Sequence, residues 1–231
     1  MFRYLGAAAL LLAAGCLDLG VNANSITLPF DFNVTGENFT PGLANVATGA
    51  ISGVNLVGEL RNLPLPLDVN RKGLYLSGTN PGTDLFLYTQ KYFTGFVANR
   101  RYRATLQVSY ASNFHDGCAA GVGSGTRIKA GVSEFPLEAE EDNQGILRLN
   151  VDVGTPVTQG DFATLGDIRN GLTDCPATGV YATRASLIQT QDFEFRTDAT
   201  GGFILWVGTH SNTAGRSEIY FTSLLLTVNP T

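Results

Sequence analysis

The stretch "RYRATLQVSYAS", residues 101–112, alternates apolar and polar side chains over most of its length. Successive side chains of a β-strand point to opposite faces, so each set shares one side of an extended backbone. The apolar set is Tyr102, Ala104, Leu106, Val108 and Tyr110. The polar set is Arg101, Arg103, Thr105, Gln107 and Ser109. The stretch predicts a strand with one face on a hydrophobic core and the other toward solvent.

Similar patterns recur along most of the chain, with turn signals such as "TNPGT", "ATGG" and "NTAG" between them. Further strands are predicted in "LPFDFN", "GVNLVGEL", "GLYLSG", "TDLFLYTQKYF", "TRIKAGV", "ILRLNVDV", "DFEFRT" and "SEIYFTSLLLTV", the last long enough for a bent strand. Many alternating strands without crossover helices must bury their apolar faces on each other. We therefore predict an all-β fold, an antiparallel two-sheet β-sandwich (jelly roll), as a single domain over residues 27–231.

Two segments depart from simple alternation. "GFILWVG", residues 202–208, is apolar on both faces, which predicts a strand in the middle of a sheet with Trp206 in the core. "DFATLGDIRNGL", residues 161–172, is the best candidate for a short helix, because Asp161 can cap it and Phe162, Leu165 and Ile168 would share one face.

The charge of the chain argues against a nucleic-acid partner. The 231 residues carry a net charge of −5, and charged residues make up only 15%. Arg100, Arg101 and Arg103 are the only close group of basic residues, and such a trio is typical of a solvated strand end. Nucleic-acid binding requires a patch of Lys and Arg that neutralises phosphates.

The first residues predict export. "MFRYLGAAALLLAAGC" has a basic residue, then an apolar run too short to span a bilayer, then small residues, which is typical of a signal peptide over residues 1–15. Residues 12–16, "LAAGC", resemble the bacterial lipobox, which implies cleavage before Cys16 and its lipidation. Residues 16–26 would then form a short tether to the cell envelope. The alternative is ordinary cleavage after Ala23 in "VNANS".

The order of three segments resembles that of jelly-roll carbohydrate-binding modules of the galactose-binding-like class. They are "FDFNVTGENFTPGLANVATG", "LYLSGTNPGTDLFLYTQKYFTGFVANRRYRATLQVSYAS" and "GGFILWVGTHSNTAGRSEIYFTSLLLTV", within residues 27–228. The resemblance implies a non-catalytic β-sandwich that binds carbohydrate. Such modules often hold a structural calcium with an acidic residue in the last strand, but the comparable place here is "YFT", residues 220–222, without a carboxylate. The resemblance therefore does not extend to this calcium. The two histidines and scattered acidic residues have no zinc-ligand spacing, and no nucleotide, haem or flavin signature is present, so we predict no metal and no cofactor.

The glycine-rich stretch "SNFHDGCAAGVGSGTRIKAGV", residues 112–132, does not fit a phosphate loop. It lacks G-x-G-x-x-G spacing, and a strand pattern rather than a helix follows it. A Cys118 nucleophile with His115 as its base is possible, but thiols of exported proteins are usually oxidised. If Cys16 is lipidated, two cysteines are left in the mature chain. We therefore predict a disulfide between Cys118 and Cys175, both of which lie in loops rich in turn formers.

Carbohydrate binding requires aromatic rings that stack on sugars and polar groups that bind hydroxyls. The candidate aromatic residues are Tyr88, Tyr92 and Tyr102, with Trp206 weaker. The candidate polar residues, all in predicted loops, are Asn113, His115, Asp116, Asp167 and His210. The acidic run at residues 138–142 is typical of a solvated loop, since catalytic carboxylates flank a cleft.

The sequence thus favours an exported, lipid-anchored β-sandwich that binds carbohydrate or another small polar ligand without catalysis. One alternative is a structural or adhesive envelope domain that has no small-molecule site. The other is a hydrolase that uses His115 and Asp116 in a loop cleft.

Overall fold

The computed structural model describes residues 25–35, 38–82, 84–156, 162–188 and 193–231. The predicted signal peptide and Cys16 lie outside these ranges, and the first strand begins at Ile26, one residue before the predicted domain boundary. No helix in the described ranges is long and apolar enough to cross a membrane. The described chain forms two main antiparallel sheets, which confirms the predicted β-sandwich.

The larger sheet has seven strands. Its main path runs in the order β11 (Ala182–Ile188), β6 (Arg101–Ser112), β14 (Gly215–Pro230), β4 (Lys72–Asn80) and β3 (Val57–Asn62). Off this path, β1 (Ile26–Asp31) pairs with β14, and β12 (Phe193–Arg196) pairs with β6. The predicted bend in the last strand is a break in register between Phe221 and Ser223 of β14.

The smaller sheet has five strands, in the order β10 (Ala163–Asp167), β7 (Thr126–Ser133), β13 (Phe203–Ser211), β5 (Leu85–Phe93) and β2 (Thr40–Ala44). A separate hairpin consists of β8 (Ala139–Glu141) and β9 (Leu147–Leu149). The helices are short: α1 (Phe32–Thr35), α2 (Ile51–Val54), α3 (Val122–Gly125) and a 3-10 turn at Thr48–Ala50.

The alternation of residues 101–112 is confirmed in β6. Its apolar side chains lie in the main core between the sheets, where each is at most 2% exposed. The alternating polar side chains are partly or fully exposed on the outer face of the larger sheet. β6 pairs with β14 along nearly all of its length, so its two ends lie at opposite ends of the larger sheet.

β13 is covered on both faces, as its sequence predicts. Phe203, Leu205 and Val207 lie in the main core. Ile204 and Trp206 point to the other side, where Leu137, Val153 and Phe162 pack over them. Trp206 is fully buried, so it is a core residue.

The predicted helix over residues 161–172 is wrong, although its capping residue Asp161 lies outside the described residues. The segment forms β10, which pairs with β7. Ala163 and Leu165 are buried at alternate positions, so a strand buries them against the sandwich. The open edge of β7 supplies backbone partners that an isolated sequence does not reveal.

The acidic run is solvated, as predicted. Glu138, Glu140 and Glu141 are exposed on and beside the β8–β9 hairpin. The predicted strand in "ILRLNVDV" is shorter than expected, because only Leu147–Leu149 pairs. The rest of that segment runs over the outer face of the smaller sheet, where Val153 contributes to the cover of Trp206.

Candidate functional site

Two loops meet at one end of the sandwich and enclose a cleft of about 360 Å³. The first loop joins β6 to β7, and the second joins β10 to β11. Its lining includes Asn113, Phe114, His115, Val122, Arg169 and Pro176. Four of the predicted polar residues, Asn113, His115, Asp116 and Asp167, belong to these loops or to the strand ends that bear them.

The predicted disulfide between Cys118 and Cys175 is confirmed, with a Cα–Cα distance of 4.8 Å. It joins the two loops beside the cleft, and the backbone between them is also closely apposed. The N–H of Asp116 donates to the carbonyl of Leu172 at 2.7 Å. At Gly117 any side chain would collide, since a Cβ would lie 1.9 Å from the carbonyl oxygen of Thr173. Cys118 is therefore a structural half-cystine and carries no nucleophilic thiol.

His115 pins the second loop to the first. Its imidazole is 2% exposed, and Nδ1 lies 2.8 Å from Oδ1 of Asp174. The N–H of Val180 donates to Nε2 at 2.9 Å. The carbonyl of Val180 also lies 3.1 Å from Nε2, so the backbone of Val180 can donate to this nitrogen in one tautomer and accept from it in the other. Both ring nitrogens are engaged, so neither is available to take a proton from a substrate.

The two aspartates also hold the loops in place. Oδ1 of Asp116 accepts the N–H of Gly171 at 2.9 Å. Asp167 contacts Arg169 at 2.7 Å and Arg127 at 3.1 Å. Burial acts to raise the pKa of Asp167, but the hydrogen bonds from Arg169 and the charges of both arginines outweigh burial and lower it. Asp167 is thus a paired anion.

Two polar atoms of the cleft residues are buried without a hydrogen-bond partner in the described structure: Oδ1 of Asn113 and Nε of Arg169. One is an acceptor and the other is a donor. Buried polar groups are nearly always satisfied in folded proteins, so each exception calls for an explanation. Because neither atom is accessible to solvent in this arrangement, a polar molecule in the cleft could bond them only after a shift of the Asn113 or Arg169 side chain.

A cluster that the sequence analysis missed adjoins the cleft. Nδ2 of Asn113 lies 3.4 Å from Oε1 of Glu218. The hydroxyls of Tyr75 and Tyr181 both donate to the Glu218 carboxylate, the former at 3.0 Å. Burial, followed by the bond to Glu218, raises the pKa of Tyr181. Through Glu218, the cluster holds the Asn113 amide.

The signal for this cluster was present in "SEIYF", residues 217–221. Its alternation places Glu218 and Tyr220 on the same face of β14, and that face is the outer one. The predicted strand places Glu218 on the outer face of the sheet, but nothing in the sequence indicated that Tyr75 and Tyr181 would contact Glu218.

The other predicted residues lie away from the cleft. Tyr88 is 4% exposed under the segment that covers the smaller sheet, and its hydroxyl donates to the carbonyl of Leu137 at 3.3 Å. Tyr102 is 2% exposed in the main core. Neither ring can therefore stack on a ligand, because tertiary packing covers both.

Tyr92 and His210 are also separate from the loops. Tyr92 is 45% exposed on β5, and its hydroxyl donates to Asp198 at 2.7 Å. The N–H of Gly202, the Tyr92 hydroxyl and Thr200 lower the pKa of Asp198. His210 is fully buried, with Nε2 2.7 Å from Asp84. Across the ranges that the structure describes, no three His, Cys, Asp or Glu side chains form a group that could hold a metal ion.

No protein-family model matches the sequence, and no curated protein matches it either. Among solved structures, the enzymatically active domain of tailspike protein 4 of bacteriophage CBA120 is 11% identical, with a TM-score of 0.34 over 84% of this chain and 20% of that one. A carbohydrate-binding module of the β-sandwich superfamily is 10% identical, with a TM-score of 0.35 over 87% of this chain and 60% of that one. The K1 cleaved adhesin domain of Lys-gingipain from Porphyromonas gingivalis W83 is 12% identical, with a TM-score of 0.32 over 89% of this chain and 99% of that one. At such identities and scores, these likenesses assign no ligand and no site to this chain.

Proposed function

We propose that this protein is an exported β-sandwich that binds carbohydrate, or a small polar ligand of similar chemistry, in the cleft between the two loops that the Cys118–Cys175 disulfide joins. The observation that carries the proposal is the pair of unpartnered atoms, Oδ1 of Asn113 and Nε of Arg169, among the residues of that cleft. Once a side-chain shift exposes it, either atom could bond a hydroxyl group of a ligand, since a hydroxyl can both donate and accept a hydrogen bond.

The other walls of the cleft suit a sugar as well. Phe114, Val122 and Pro176 supply apolar surface for the C–H faces of a ring. The volume of about 360 Å³ falls in the usual range for a small-molecule site, roughly 300–1,000 Å³. Disulfide and hydrogen bonds hold the loops before a ligand arrives, which reduces the entropy lost on binding.

Binding without catalysis is favoured over the hydrolase alternative because His115 has no free nitrogen. Asp174 and Val180 occupy both ring nitrogens, and Asp116, which accepts the N–H of Gly171, is not among the residues that line the cleft. A general base needs a free lone pair within reach of the substrate.

Export is part of the proposal. The disulfide supports an oxidising compartment, in which such bonds form and persist. The apolar N-terminal run and Cys16 support a signal peptide and a lipid anchor in the bacterial cell envelope.

A glycan screen of the purified protein tests the proposal, followed by titration of the best ligand against Asn113→Ala. We expect roughly fivefold to thirtyfold weaker binding by Asn113→Ala, since the loss of a buried hydrogen bond to a ligand costs about 1–2 kcal/mol. Asn143→Ala, in the exposed turn of the β8–β9 hairpin, is the matched control and should bind like the wild type. Failure to bind any glycan, or equal binding by Asn113→Ala and the control, would contradict the proposal.

A further inference from the structure

Four arginines lie at the end of the larger sheet that is remote from the cleft. They are Arg100, Arg101, Arg103 and Arg196. The whole chain has 15 lysines and arginines and a net charge of −5, so this is a strong local concentration of positive charge. Arg101 and Arg103 lie on β6 and Arg196 on β12, and the one acidic residue on these two paired strands is Glu194.

Antiparallel pairing sets two of these arginines directly against each other. Arg196 of β12 lies opposite Arg101 of β6, and Glu194 lies opposite Arg103. The Arg103–Glu194 pair is neutralised by an ion pair of 3.1 Å. Like charges directly opposite one another on neighbouring strands are destabilising, so the Arg101–Arg196 pair carries a cost that the neighbouring pair does not.

The Arg101–Arg196 pair is open to an anion. Both residues are exposed, and together with Glu194 and Phe195 they line a hollow of about 260 Å³. Arg196 donates to oxygen atoms of Asn99 at 3.3 and 3.5 Å, which are uncharged acceptors. In the part of the chain that the structure describes, neither arginine of the pair contacts a carboxylate.

We propose that the Arg101–Arg196 pair binds the carboxylate or sulfate groups of an acidic polysaccharide. A guanidinium presents a planar fork of donors that matches an oxyanion. An oxyanion between the two forks would form charge-assisted bonds and also remove the repulsion between them. The site lies near the start of β6, whereas the cleft lies beyond its end at Ser112, roughly 35 Å away at ~3.3 Å per residue. It is therefore a second site, independent of the proposed cleft.

The surface beyond the pair favours a polymer over a free ion. The outer face of β6 continues with Thr105, Gln107 and Ser109, which lie beside Thr227, Leu225 and Ser223 of β14. These side chains are partly exposed, and Gln107, Ser109 and Ser223 line a trough of about 380 Å³. Hydroxyl and amide groups along one strip can bind the hydroxyls of successive sugars while the arginines bind an acidic group.

Binding of the full-length protein to polygalacturonate tests this inference, with dextran as the neutral polymer and dextran sulfate as the sulfated one. We expect binding to at least one acidic polymer and not to dextran. Arg101→Gln/Arg196→Gln should weaken it at least roughly tenfold. Which polymer binds more tightly distinguishes a carboxylate from a sulfate ligand.

The control is Arg61→Gln/Arg148→Gln, which removes the same charge from two partly exposed arginines elsewhere. It should bind the acidic polymers like the wild type, and thermal unfolding should show that both double variants are folded. If both double variants lost the same amount of binding to the acidic polymers, the change in net charge alone would explain the loss, and the inference would be overturned. The inference would also be overturned if the protein bound neither acidic polymer, or if it bound anionic lipid vesicles instead of the polymers. Since Asn113→Ala leaves this patch intact, failure of the cleft proposal would not alter the result.

Discussion

His115 shows how a residue type that suggests chemistry can serve structure instead. It lies three residues from Cys118, and a cysteine near a histidine is a reasonable candidate for a nucleophile and its base. In the fold, the cysteine is oxidised and the imidazole links Asp174 to the backbone of Val180. The sequence contains the residue types but not the partners, because Asp174 and Val180 come from a different loop.

We expect His115→Ala to lower the free energy of unfolding by about 2 kcal/mol, since it removes two hydrogen bonds worth roughly 1 kcal/mol each. Chemical denaturation measures the change. Asp174→Asn is the control, because it keeps an acceptor at a side chain that is 68% exposed, and it should cost less than about 0.5 kcal/mol. Equal stability of His115→Ala and the wild type would show that His115 does not hold the loops.

Lys129 is a buried cation whose state depends on pH. Its side chain is fully buried on β7, and its ammonium donates to the carbonyl of Val153. Burial lowers the pKa of Lys129 to about 8, although Asp152 and Asp84 favour the charged form. Between pH 8 and the ordinary lysine pKa of about 10.4, the unfolded chain binds more protons than the folded chain. Raising the pH through this window therefore stabilises the fold.

We expect the wild type to gain roughly 2–3 kcal/mol of unfolding free energy relative to Lys129→Met between pH 7 and pH 10. Urea denaturation at several pH values measures the gain. The range stops at pH 10 because burial raises the pKa of Tyr110 to about 12, so ionisation of that tyrosine in the unfolded chain opposes folding at higher pH. Parallel pH profiles for the two proteins would contradict the expectation.

At the scale of elements, the strands that alternate strongly were predictable and the short ones were not. The positions of β6 and β13 could be predicted from their own sequences, because β6 alternates apolar and polar residues and β13 is apolar on both faces. β10 is five residues long and forms because the edge of β7 accepts it. The same side chains, Phe162, Leu165 and Ile168, fit one face of a helix, so local pattern alone could not decide between the two.

The disulfide was predicted from the number of cysteines and from the turn-forming residues in the loops that contain them. It closes a loop with a sequence separation of 57 residues, which corresponds to about 4 kcal/mol in the chain-entropy model. Cys118→Ala/Cys175→Ala should lower the unfolding free energy by that order and the melting temperature by roughly 10 °C. Calorimetry measures both, and reduction of the wild type should give the same shift. A loss of less than about 1 kcal/mol in unfolding free energy would mean that the other contacts between the loops hold them together without the disulfide.

At the scale of the whole molecule, the β-sandwich was predictable from the sequence and only part of the binding site was. Many alternating strands without crossover helices leave few ways to bury a core. The cleft depends on two loops whose cysteines are 57 residues apart in sequence, and only the cysteines indicated that the loops meet. Asn113 was a candidate on its residue type, whereas Arg169 and Glu218 enter the site only through the fold.

The N-terminal segment gives a separate prediction for the whole molecule. If Cys16 is lipidated, mass spectrometry of the mature protein should find a diacylglyceryl cysteine at its N-terminus. Cys16→Ser should then release the protein from the membrane fraction. An N-terminus at Asn24 would show ordinary cleavage after Ala23 and contradict lipidation.

A crystal structure of the protein with its tightest-binding glycan tests the central proposal most directly. We predict a sugar in the cleft between the two disulfide-linked loops, with one hydroxyl within about 3.2 Å of Oδ1 of Asn113 or Nε of Arg169. The hydrogen bonds of His115 to Asp174 and Val180 should be unchanged. A glycan bound elsewhere while the cleft stays empty would contradict the proposed site.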